Sequence, residues 1–362
     1  MVVKNVCNSV YIHIPFCKKI CSYCNFCKFI YNDLFISKYL DSLKNEIENN
    51  YKGEIIKTIY IGGGTPSSLS IEDLKRLLEI NKVFNLDEDI EYTIEFNVED
   101  INDEKMKLLK EYNVNRLSIG VESFNKNILK YLNRNYNTSI IDKVNIAKKY
   151  FDNINIDLIY AVKDQDLKML EEDLKIINEL DINHVSCYSL IIEKHTKLFN
   201  DKTKPIDDEL DFKMYKLINK MLKDFNHYEI SNYAKSGYES KHNLVYWNNE
   251  EYYGFGVGAA SYKDSIRKYN SKSLNKYLNQ IYDYEEEILN KEDKISYELI
   301  LGFRKTKGIN IKSFYDKYNI NITDLYNIKD LINEKKLIIK NGYIFINDKY
   351  LYTENEILLN FV

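Results

Sequence analysis

The feature that most constrains this sequence is a regular alternation of strand-like and helix-like segments, which continues to about residue 225. Six short apolar runs suit strands, and the stretches between them repeat apolar residues at a spacing near 3.6, as Leu40, Leu43 and Ile47 do. Such alternation is typical of parallel sheets with crossover helices. The predicted strands are Val10–Ile14, Ile55–Ile61, Glu91–Phe96, Arg116–Ile119, Asn155–Tyr160 and His184–Leu190. Six units of this kind predict an α/β fold in the form of an open, partial (β/α)6 barrel.

Polar residues and glycines collect at the carboxyl ends of these predicted strands. The first strand leads into a cysteine-rich loop, the second into Gly62-Gly63-Gly64-Thr65, and the third ends at Glu95. The fourth strand leads to Glu122, and the fifth carries Asp157. In barrels of parallel strands, functional sites form where the strands end and the loops begin. The sequence therefore predicts a single shared site at the barrel mouth.

Five of the six cysteines lie within the first 27 residues, and three of them follow the first strand at short spacing. Cys17, Cys21 and Cys24 could bind one face of a cubane iron–sulfur cluster, which leaves one iron without a protein ligand. Zinc is the alternative, because Cys27 could supply a fourth thiolate. In a reducing compartment, a tight group of cysteines more often binds metal or reacts than forms disulfides.

Charge and hydropathy narrow the range of partners. The chain has 51 Lys and Arg against 55 Asp and Glu, a net charge of −4, and therefore lacks the basic excess that neutralises a phosphate backbone. We expect no nucleic-acid partner. No apolar run approaches the roughly 20 residues of a bilayer span, and residues 1–5 do not open a signal peptide. These features predict a cytoplasmic protein without an integral membrane segment.

The sequence pattern divides the chain into three predicted regions. Residues 1–225 form the barrel, 226–290 a connecting segment, and 291–362 a small α+β domain. The last region has three helical patterns and then two apolar runs joined across Asn341-Gly342, which is a strong hairpin signal. This order suggests a winged-helix-like module. Such modules often bind DNA, but the acidic total favours a role in protein contact or as a lid.

Blocks of sequence that occur in one order resemble the radical SAM superfamily and, within it, the HemW-type heme chaperones, relatives of the oxygen-independent coproporphyrinogen III oxidases. The resemblance covers nearly the whole length and weakens after residue 300. It is carried by Tyr11–Phe26, Ile61–Ser67, Thr93–Asn97, Asn115–Phe124, Asn155–Tyr160, His184–Glu193, Tyr228–Ala234, Ser240–Trp247 and Tyr252–Tyr262. It implies a 4Fe-4S cluster on Cys17, Cys21 and Cys24, with S-adenosylmethionine chelating the open iron. It also implies that the cluster passes one electron to the sulfonium, while the protein orients the cofactor.

The resemblance further implies a set of cofactor contacts. They are Tyr11, Tyr23, Gly63, Gly64, Thr65, Glu95, Glu122, Arg134 and Asp157. Glu95 and Asp157 interrupt apolar strands, where a buried carboxylate needs a partner, which favours a functional role for both. Arg134 is selected by the resemblance alone, since its position also suits an ordinary surface residue. Three departures from the family are Glu122, where Gln is usual, Tyr136, where His is common, and residues 161–165, which replace Gly-Leu-Pro-Gly-Gln with Ala-Val-Lys-Asp-Gln.

Two functions remain open, and two short segments distinguish them. The oxidases carry a further Cys two residues after the third ligand, where this chain has Phe26. The chaperones carry His-Asn-x-x-Tyr-Trp, which is present here at 242–247. His242 could ligate heme iron, with Tyr246 and Trp247 as an aromatic wall, or the segment could only anchor the junction after the barrel.

We therefore expect a heme chaperone that delivers heme to heme-dependent proteins, with transient contact to membrane-bound recipients. We expect it to lack coproporphyrinogen III decarboxylation. The alternative is an oxygen-independent coproporphyrinogen III oxidase, a radical enzyme of porphyrin biosynthesis.

Overall fold

A computed structural model describes residues 7–135 and 137–362 of the chain. The first residues, on which the expectation about a signal peptide rests, lie outside the described part, and so does Tyr136, one of the departures from the family pattern. The strands are β1 (Ser9–Ile14), β2 (Phe16–Cys17), β3 (Phe29–Ile30), β4 (Ile55–Gly63), β5 (Asn85–Asn97), β6 (Arg116–Glu122), β7 (Asn153–Tyr160), β8 (His184–Ser189), β9 (Asn226–Glu229), β10 (Asn232–Ala234), β11 (Tyr253–Phe255), β12 (Ala260–Lys263), β13 (Ile266–Asn270), β14 (Tyr284–Ile288), β15 (Ile309–Asn310), β16 (Leu337–Lys340) and β17 (Tyr343–Ile346). The α-helices are α1 (Asp33–Asn50), α2 (Ile71–Ile80), α3 (Asp103–Glu111), α4 (Lys126–Tyr131), α5 (Ile140–Lys148), α6 (Leu167–Glu179), α7 (Lys197–Asn200), α8 (Asp208–Met221), α9 (Lys241–Trp247), α10 (Leu274–Leu278), α11 (Lys291–Gly302), α12 (Ile311–Tyr318), α13 (Tyr326–Asn333) and α14 (Glu354–Leu358).

The central sheet has the strand order β11-β1-β4-β5-β6-β7-β8-β10-β9, and all neighbours from β11 to β8 are parallel. All six predicted strands are present, and the predicted α/β barrel class is confirmed. The third predicted strand corresponds to β5, which starts at Asn85 and is longer than predicted. Helices α1, α2 and α3 begin after Asn32, Ser70 and Asn102, whose side chains each accept a backbone N–H and so fix the start of the helix.

Alternation along each strand separates an apolar face from a polar face. On β1, Val10, Ile12 and Ile14 are fully buried in the main hydrophobic core with the helices. Tyr11 and His13, between them, point to the opposite face, as the period of two in a strand requires. Because the neighbouring strands are in parallel register, their polar positions line the inside of the barrel.

Residues 226–290 contribute to the sheet as well as connecting two regions. Strand β10 adds antiparallel to β8, and β9 adds antiparallel to β10 at the edge of the sheet. Strand β11 adds parallel to β1, with Tyr11 opposite Gly254. Gly254 is required there, because a Cβ atom would lie 1.7 Å from the carbonyl oxygen of Ala260. Strands β12, β13 and β14 form a separate antiparallel sheet.

The C-terminal region has its own hydrophobic core, which includes Phe303, Phe314 and Ile344. Helices α11 to α13 precede strands β16 and β17, which pair antiparallel across the predicted turn. Asn341 and Gly342 have φ angles of 52° and 77°, as a type I′ hairpin requires. The predicted α+β module with a hairpin is therefore present. Within the described residues, no helix combines the length and the apolar character needed to cross a bilayer.

Candidate functional site

The carboxyl ends of the parallel strands open into a cavity of about 450 Å³. Eleven of the thirteen predicted site residues line it: Cys17, Cys21, Cys24, Tyr23, Gly63, Gly64, Thr65, Glu95, Glu122, Arg134 and Asp157. These residues come from β2 and β4 to β7 and from the segments that follow β2, β4 and α4. The structure thus brings together side chains that lie as far as 140 residues apart in the chain.

The cysteine loop forms one wall of this cavity. The Cys17 Sγ atom accepts a hydrogen bond from the Thr65 hydroxyl at 3.4 Å, and the Cys21 Sγ atom accepts one from Arg134 Nη1 at 3.4 Å. Burial raises the pKa of the Cys17 thiol to about 11 and also raises the pKa of Cys24. Both thiols therefore stay protonated near neutral pH unless a cation displaces their protons.

The donor set fits a cluster better than it fits a single ion. Among residues 7–135 and 137–362, no three His, Cys, Asp or Glu side chains converge on one point as ligands of one ion would. A cubane cluster does not require convergence, because each cysteine binds a different iron. Three thiols on one wall, facing open space and accepting hydrogen bonds, suit a 4Fe-4S cluster with one free iron.

Cys27 does not complete a zinc site. It does not line the cavity, and its sulfur packs against Gly258, where a Cβ atom would lie 3.0 Å from Sγ. Its carbonyl oxygen hydrogen bonds with His13 Nε2 at 2.7 Å. The backbone thus directs Cys27 away from the other three cysteines, and the zinc alternative has no fourth ligand there.

The glycines at the end of β4 lie against β1 and β5. A Cβ atom on Gly62 would lie 2.7 Å from the Glu95 carboxyl group, and one on Gly63 would lie 2.4 Å from the His13 ring. Gly63 also has a φ of 112°, which disfavours other residues. The sequence predicted that these glycines let the backbone approach a ligand closely. The structure shows a second reason for them, because they pack closely against the neighbouring strands.

Glu95 and Asp157 are buried carboxyl groups with hydrogen-bond partners, as predicted. Glu95 accepts hydrogen bonds from the Tyr60 hydroxyl at 2.8 Å and from the Gly63 N–H at 3.0 Å. Asp157 accepts from Ser118 Oγ at 3.2 Å and from Asn155 Nδ2 at 2.9 Å. Burial raises the pKa of Glu95 to about 7 and raises that of Asp157. A cationic ligand would favour the ionised form of both groups.

Glu122 and Arg134 form a buried pair beside the cysteine loop. Glu122 Oε1 lies 3.5 Å from Arg134 Nη2 and accepts a hydrogen bond from the Tyr23 hydroxyl at 2.9 Å. Arg134 Nη2 also donates to the carbonyl oxygen of Gly120. Burial raises the pKa of Glu122 to about 7, although the guanidinium opposes this shift. The charge that Glu122 adds is thus paired with Arg134 when the carboxyl group is ionised.

Tyr11 lies outside the barrel cavity, in contrast to the expectation from the resemblance. Its hydroxyl hydrogen bonds with His13 Nδ1 at 2.9 Å. Its ring stacks on Tyr60, with 6.3 Å between the ring centroids. Tyr60 lines the barrel cavity, so Tyr11 supports a residue of the cavity wall.

His242 also lies outside the cavity, and the structure does not support axial ligation of heme by it. Its ring nitrogens hydrogen bond with Thr58 Oγ1 and with the Tyr246 hydroxyl, each at 2.8 Å. Its side chain is 1% exposed, and burial lowers its pKa to about 3. Because both ring nitrogens are engaged, His242 acts as an internal anchor, which is the alternative left open by the sequence.

Several cavity residues were missed by the sequence analysis. Arg116 lines the cavity and is 2% exposed, and its Nε atom has no hydrogen-bond partner within the described residues. Its position could have identified it, because a residue six positions before Glu122 on one strand lies on the same face as Glu122.

At the mouth lie Phe26, Tyr188 and Ile191, which are 65%, 42% and 68% exposed. We call these three residues the apolar rim.

Family models match two parts of the chain. The model of the radical SAM superfamily matches residues 11–177. The model of the HemN C-terminal domain matches residues 289–349. The first match contains the cysteine loop and most of the cavity, and the second corresponds to the separate C-terminal core.

Relatives and a solved structure match nearly the whole chain. The protein named heme chaperone HemW from Lactococcus lactis is 39% identical, with 98% of this chain and 97% of that protein covered. The protein of the same name from Bacillus subtilis is also 39% identical, with 91% and 92% covered. The solved structure of coproporphyrinogen III oxidase (HemN) from Escherichia coli matches with a TM-score of 0.85 and 22% identity. It covers 99% of this chain and 90% of that chain, a likeness that concerns the fold.

Proposed function

Because this chain belongs to the HemW heme chaperone family of the radical SAM superfamily, we propose that it binds heme and delivers it to heme-accepting proteins. The observation that carries this proposal is the continuous similarity to proteins named heme chaperone, which extends over 98% of the chain. Phe26 supports it, since this exposed aromatic residue stands where the related oxidases have a further cysteine.

The residues of the barrel cavity are proposed to hold two further groups. Cys17, Cys21 and Cys24 would bind a 4Fe-4S cluster, and the open space in front of them would take S-adenosylmethionine. When bound, the cluster supplies one electron to the sulfonium of that cofactor. Thr65 and Arg134 donate hydrogen bonds to cysteine sulfurs, and such bonds tune the reduction potential of a cluster.

The charges of the cavity suit S-adenosylmethionine, which carries a sulfonium, an ammonium and a carboxylate. Glu95, Asp157 and Glu122 place three carboxyl groups around the cavity for the cationic parts. Arg134 and Arg116 supply guanidinium groups. Arg134 is paired with Glu122, whereas Arg116 forms no ion pair within 4 Å in the described part of the chain. The wall thus offers groups of both signs for an amino-acid moiety.

We place heme at the apolar rim rather than at His242. Phe26 and Ile191 are about two-thirds exposed, and large apolar side chains at a cavity mouth suit contact with a flat apolar ligand. Lys19 and Lys28 line the same cavity and could pair with the propionates. This placement puts heme at the solvent-facing edge, where a recipient protein could reach it.

The remaining regions are proposed to serve delivery. The C-terminal domain, residues 291–362, would provide a protein-contact surface or a lid. We propose a cytoplasmic location and transient contact with recipients, including membrane-bound ones. The segment 226–290, which adds three strands to the barrel sheet, would hold this domain beside the barrel.

A second candidate function is favoured by one observation, the overall fold. The chain matches the structure of an oxidase of coproporphyrinogen III over nearly its full length. The alternative is therefore an oxygen-independent oxidase that decarboxylates this porphyrinogen.

One set of measurements separates the two functions. The protein is reconstituted anaerobically, analysed for iron and zinc, titrated with heme, and then mixed with apomyoglobin as a heme acceptor. We expect iron without stoichiometric zinc, saturable heme binding, heme transfer, and no conversion of coproporphyrinogen III with S-adenosylmethionine and a reductant. Conversion of the porphyrinogen, or the absence of saturable heme binding, would overturn the chaperone proposal.

A further inference from the structure

A second cavity, of about 320 Å³, lies beside the barrel and has no residue in common with the barrel cavity. Its aromatic wall is formed by Tyr11, Tyr246, Trp247 and Tyr252. The stacked rings of Tyr11 and Tyr60 separate the two cavities, because Tyr60 faces the barrel and Tyr11 faces this second space. A cavity of this volume is large enough for a small ligand.

Three nitrogen donors at this cavity lack partners. Trp247 Nε1, Asn249 Nδ2 and Arg267 Nε are buried, and within the described residues none makes a hydrogen bond. An indole N–H, an amide NH2 and a guanidinium N–H can only donate. Buried donors without partners are rare and costly in folded proteins. The group that would complete this site is therefore an acceptor.

Arg267 gives the site a fixed positive charge. Its side chain is 8% exposed, and its guanidinium carbon lies 4.5 Å and 4.0 Å from the ring centroids of Tyr262 and Tyr297. Its Nη2 donates to Asn249 Oδ1 at 2.7 Å. None of the ion pairs formed by the described residues includes Arg267. Glu250 also lines the cavity, but its Oε1 atom accepts a hydrogen bond from Asn248.

We propose that this cavity is a binding site for a carboxylate carried on a small, flat, apolar group. The guanidinium and the two neighbouring N–H donors would pair with the carboxylate, and the four aromatic side chains would contact the apolar body. The ligand class that fits this chemistry is a free aromatic carboxylate. The site uses none of the proposed cluster or cofactor ligands, so it stands independently of the proposed function.

The chain supplies its own probe, because Trp247 is its only tryptophan. In full-length, cluster-reconstituted protein labelled with ¹⁵N, the indole N–H gives a single cross-peak that reports on the cavity. We expect 2-naphthoate to shift this peak in a saturable manner, and its uncharged amide, 2-naphthamide, to leave the peak in place.

Two variants test the role of the donors. Arg267→Gln should weaken 2-naphthoate binding at least tenfold, whereas Arg76→Gln, a change of an arginine outside both cavities, should leave it unchanged. If Arg267→Gln does not fold, Ala260→Leu fills the same cavity without removing a donor and should block binding. No shift with any carboxylate, equal shifts with 2-naphthoate and 2-naphthamide, or unaltered binding by folded Arg267→Gln would overturn the proposal.

Discussion

Glu122 and Arg134 meet at 3.5 Å with side chains that are 9% and 12% exposed, and this buried pair connects the barrel wall to the cysteine loop. The same guanidinium donates to the sulfur of Cys21 and to the carbonyl oxygen of Gly120. One side chain therefore orients a proposed cluster ligand and a carboxyl group of the cofactor site. A planar group with several donors is needed for this, and a lysine ammonium cannot reproduce it.

Arg134→Lys should accordingly weaken binding of S-adenosylmethionine by about 10- to 100-fold, since residues that orient metal ligands have effects of that size. Equilibrium dialysis of labelled S-adenosylmethionine against cluster-reconstituted protein measures this. Arg76→Lys, on the exposed side of α2, serves as the matched control and should bind as the unmodified chain does. Unchanged affinity in Arg134→Lys with its cluster intact would refute this role.

Cys21→Ser should abolish stable iron binding, whereas Cys27→Ser should retain it. Cys21 lines the cavity beside two other thiols, and Cys27 packs against Gly258 outside it. Iron analysis and the visible absorbance after anaerobic reconstitution compare the two variants. Loss of metal in both variants would instead indicate that Cys27 is a ligand.

The pH dependence of stability should be altered by Glu95→Gln. Burial raises the pKa of Glu95 in the folded chain to about 7, from an ordinary value of 4.5. Between these values the unfolded chain loses the proton that the folded chain keeps, so the free energy of unfolding falls as pH rises from about 4.5 to about 7. Below pH 4.5 Glu95 does not change the free energy of unfolding. Above pH 7 it lowers the free energy of unfolding by a constant amount.

Replacing Glu95 by Gln removes the part of this decrease that comes from Glu95. At about 1.4 kcal/mol per pKa unit, that part is at most roughly 3.5 kcal/mol. Urea unfolding of the metal-free chain between pH 5 and pH 8 measures it. Glu48→Gln, at an exposed position on α1, should keep the original pH profile. A profile of Glu95→Gln that coincides with the original would show that this carboxyl group is already ionised in the folded chain.

Substitutions at the apolar rim should weaken heme binding without unfolding the chain. Phe26→Ser and Ile191→Ser each remove an exposed apolar side chain, and losing its burial against heme corresponds to about tenfold or more in affinity. Their effect on the free energy of unfolding should stay within about 0.5 kcal/mol, as for other surface changes. Heme titration followed by absorbance compares them with Leu34→Ser, an equally exposed apolar position on α1. Equal heme affinity in all three variants would exclude the rim as the heme site.

His242→Ala should leave the heme absorption spectrum unchanged but destabilise the chain by about 2–4 kcal/mol. The reason is the loss of two buried hydrogen bonds, to Thr58 and Tyr246, together with the ring packing on Tyr60. Thermal or urea unfolding and a heme titration on the same samples give both values. A changed heme spectrum in a variant that remains folded would restore His242 as a ligand.

The six parallel strands could be predicted because each is an apolar run between amphipathic helices, a signal that is local in the sequence. Strands β9 to β11 could not, since each has only three or four residues. β10 and β11 also depend on partners that are distant in the chain. β11 pairs with β1, for example, across more than 240 residues. Short strands with distant partners leave no periodic pattern of their own.

Site residues on the inward faces of β5 to β7 were predictable from polar positions within apolar strands. Tyr11 and His242 lie outside the cavity, because their environment is set by contacts with Tyr60, Thr58 and Tyr246 that no local pattern reveals. The loop after β7 shows the opposite case. Ala161 and Asp164 keep φ angles of 60° and 63°, so the left-handed backbone persists where the family's glycines are absent.

The pairing of β11 with β1 has a consequence for synthesis of the chain. Until residue 255 has left the ribosome, β1 has an unpaired edge, and the cysteine loop that follows it is attached to an incomplete sheet. Gly256, which follows β11, is then held by Glu46 and lies against the backbone of His13. The cysteine loop therefore reaches its final support only after more than two-thirds of the protein has been translated, so its assembly with a cluster is a late event.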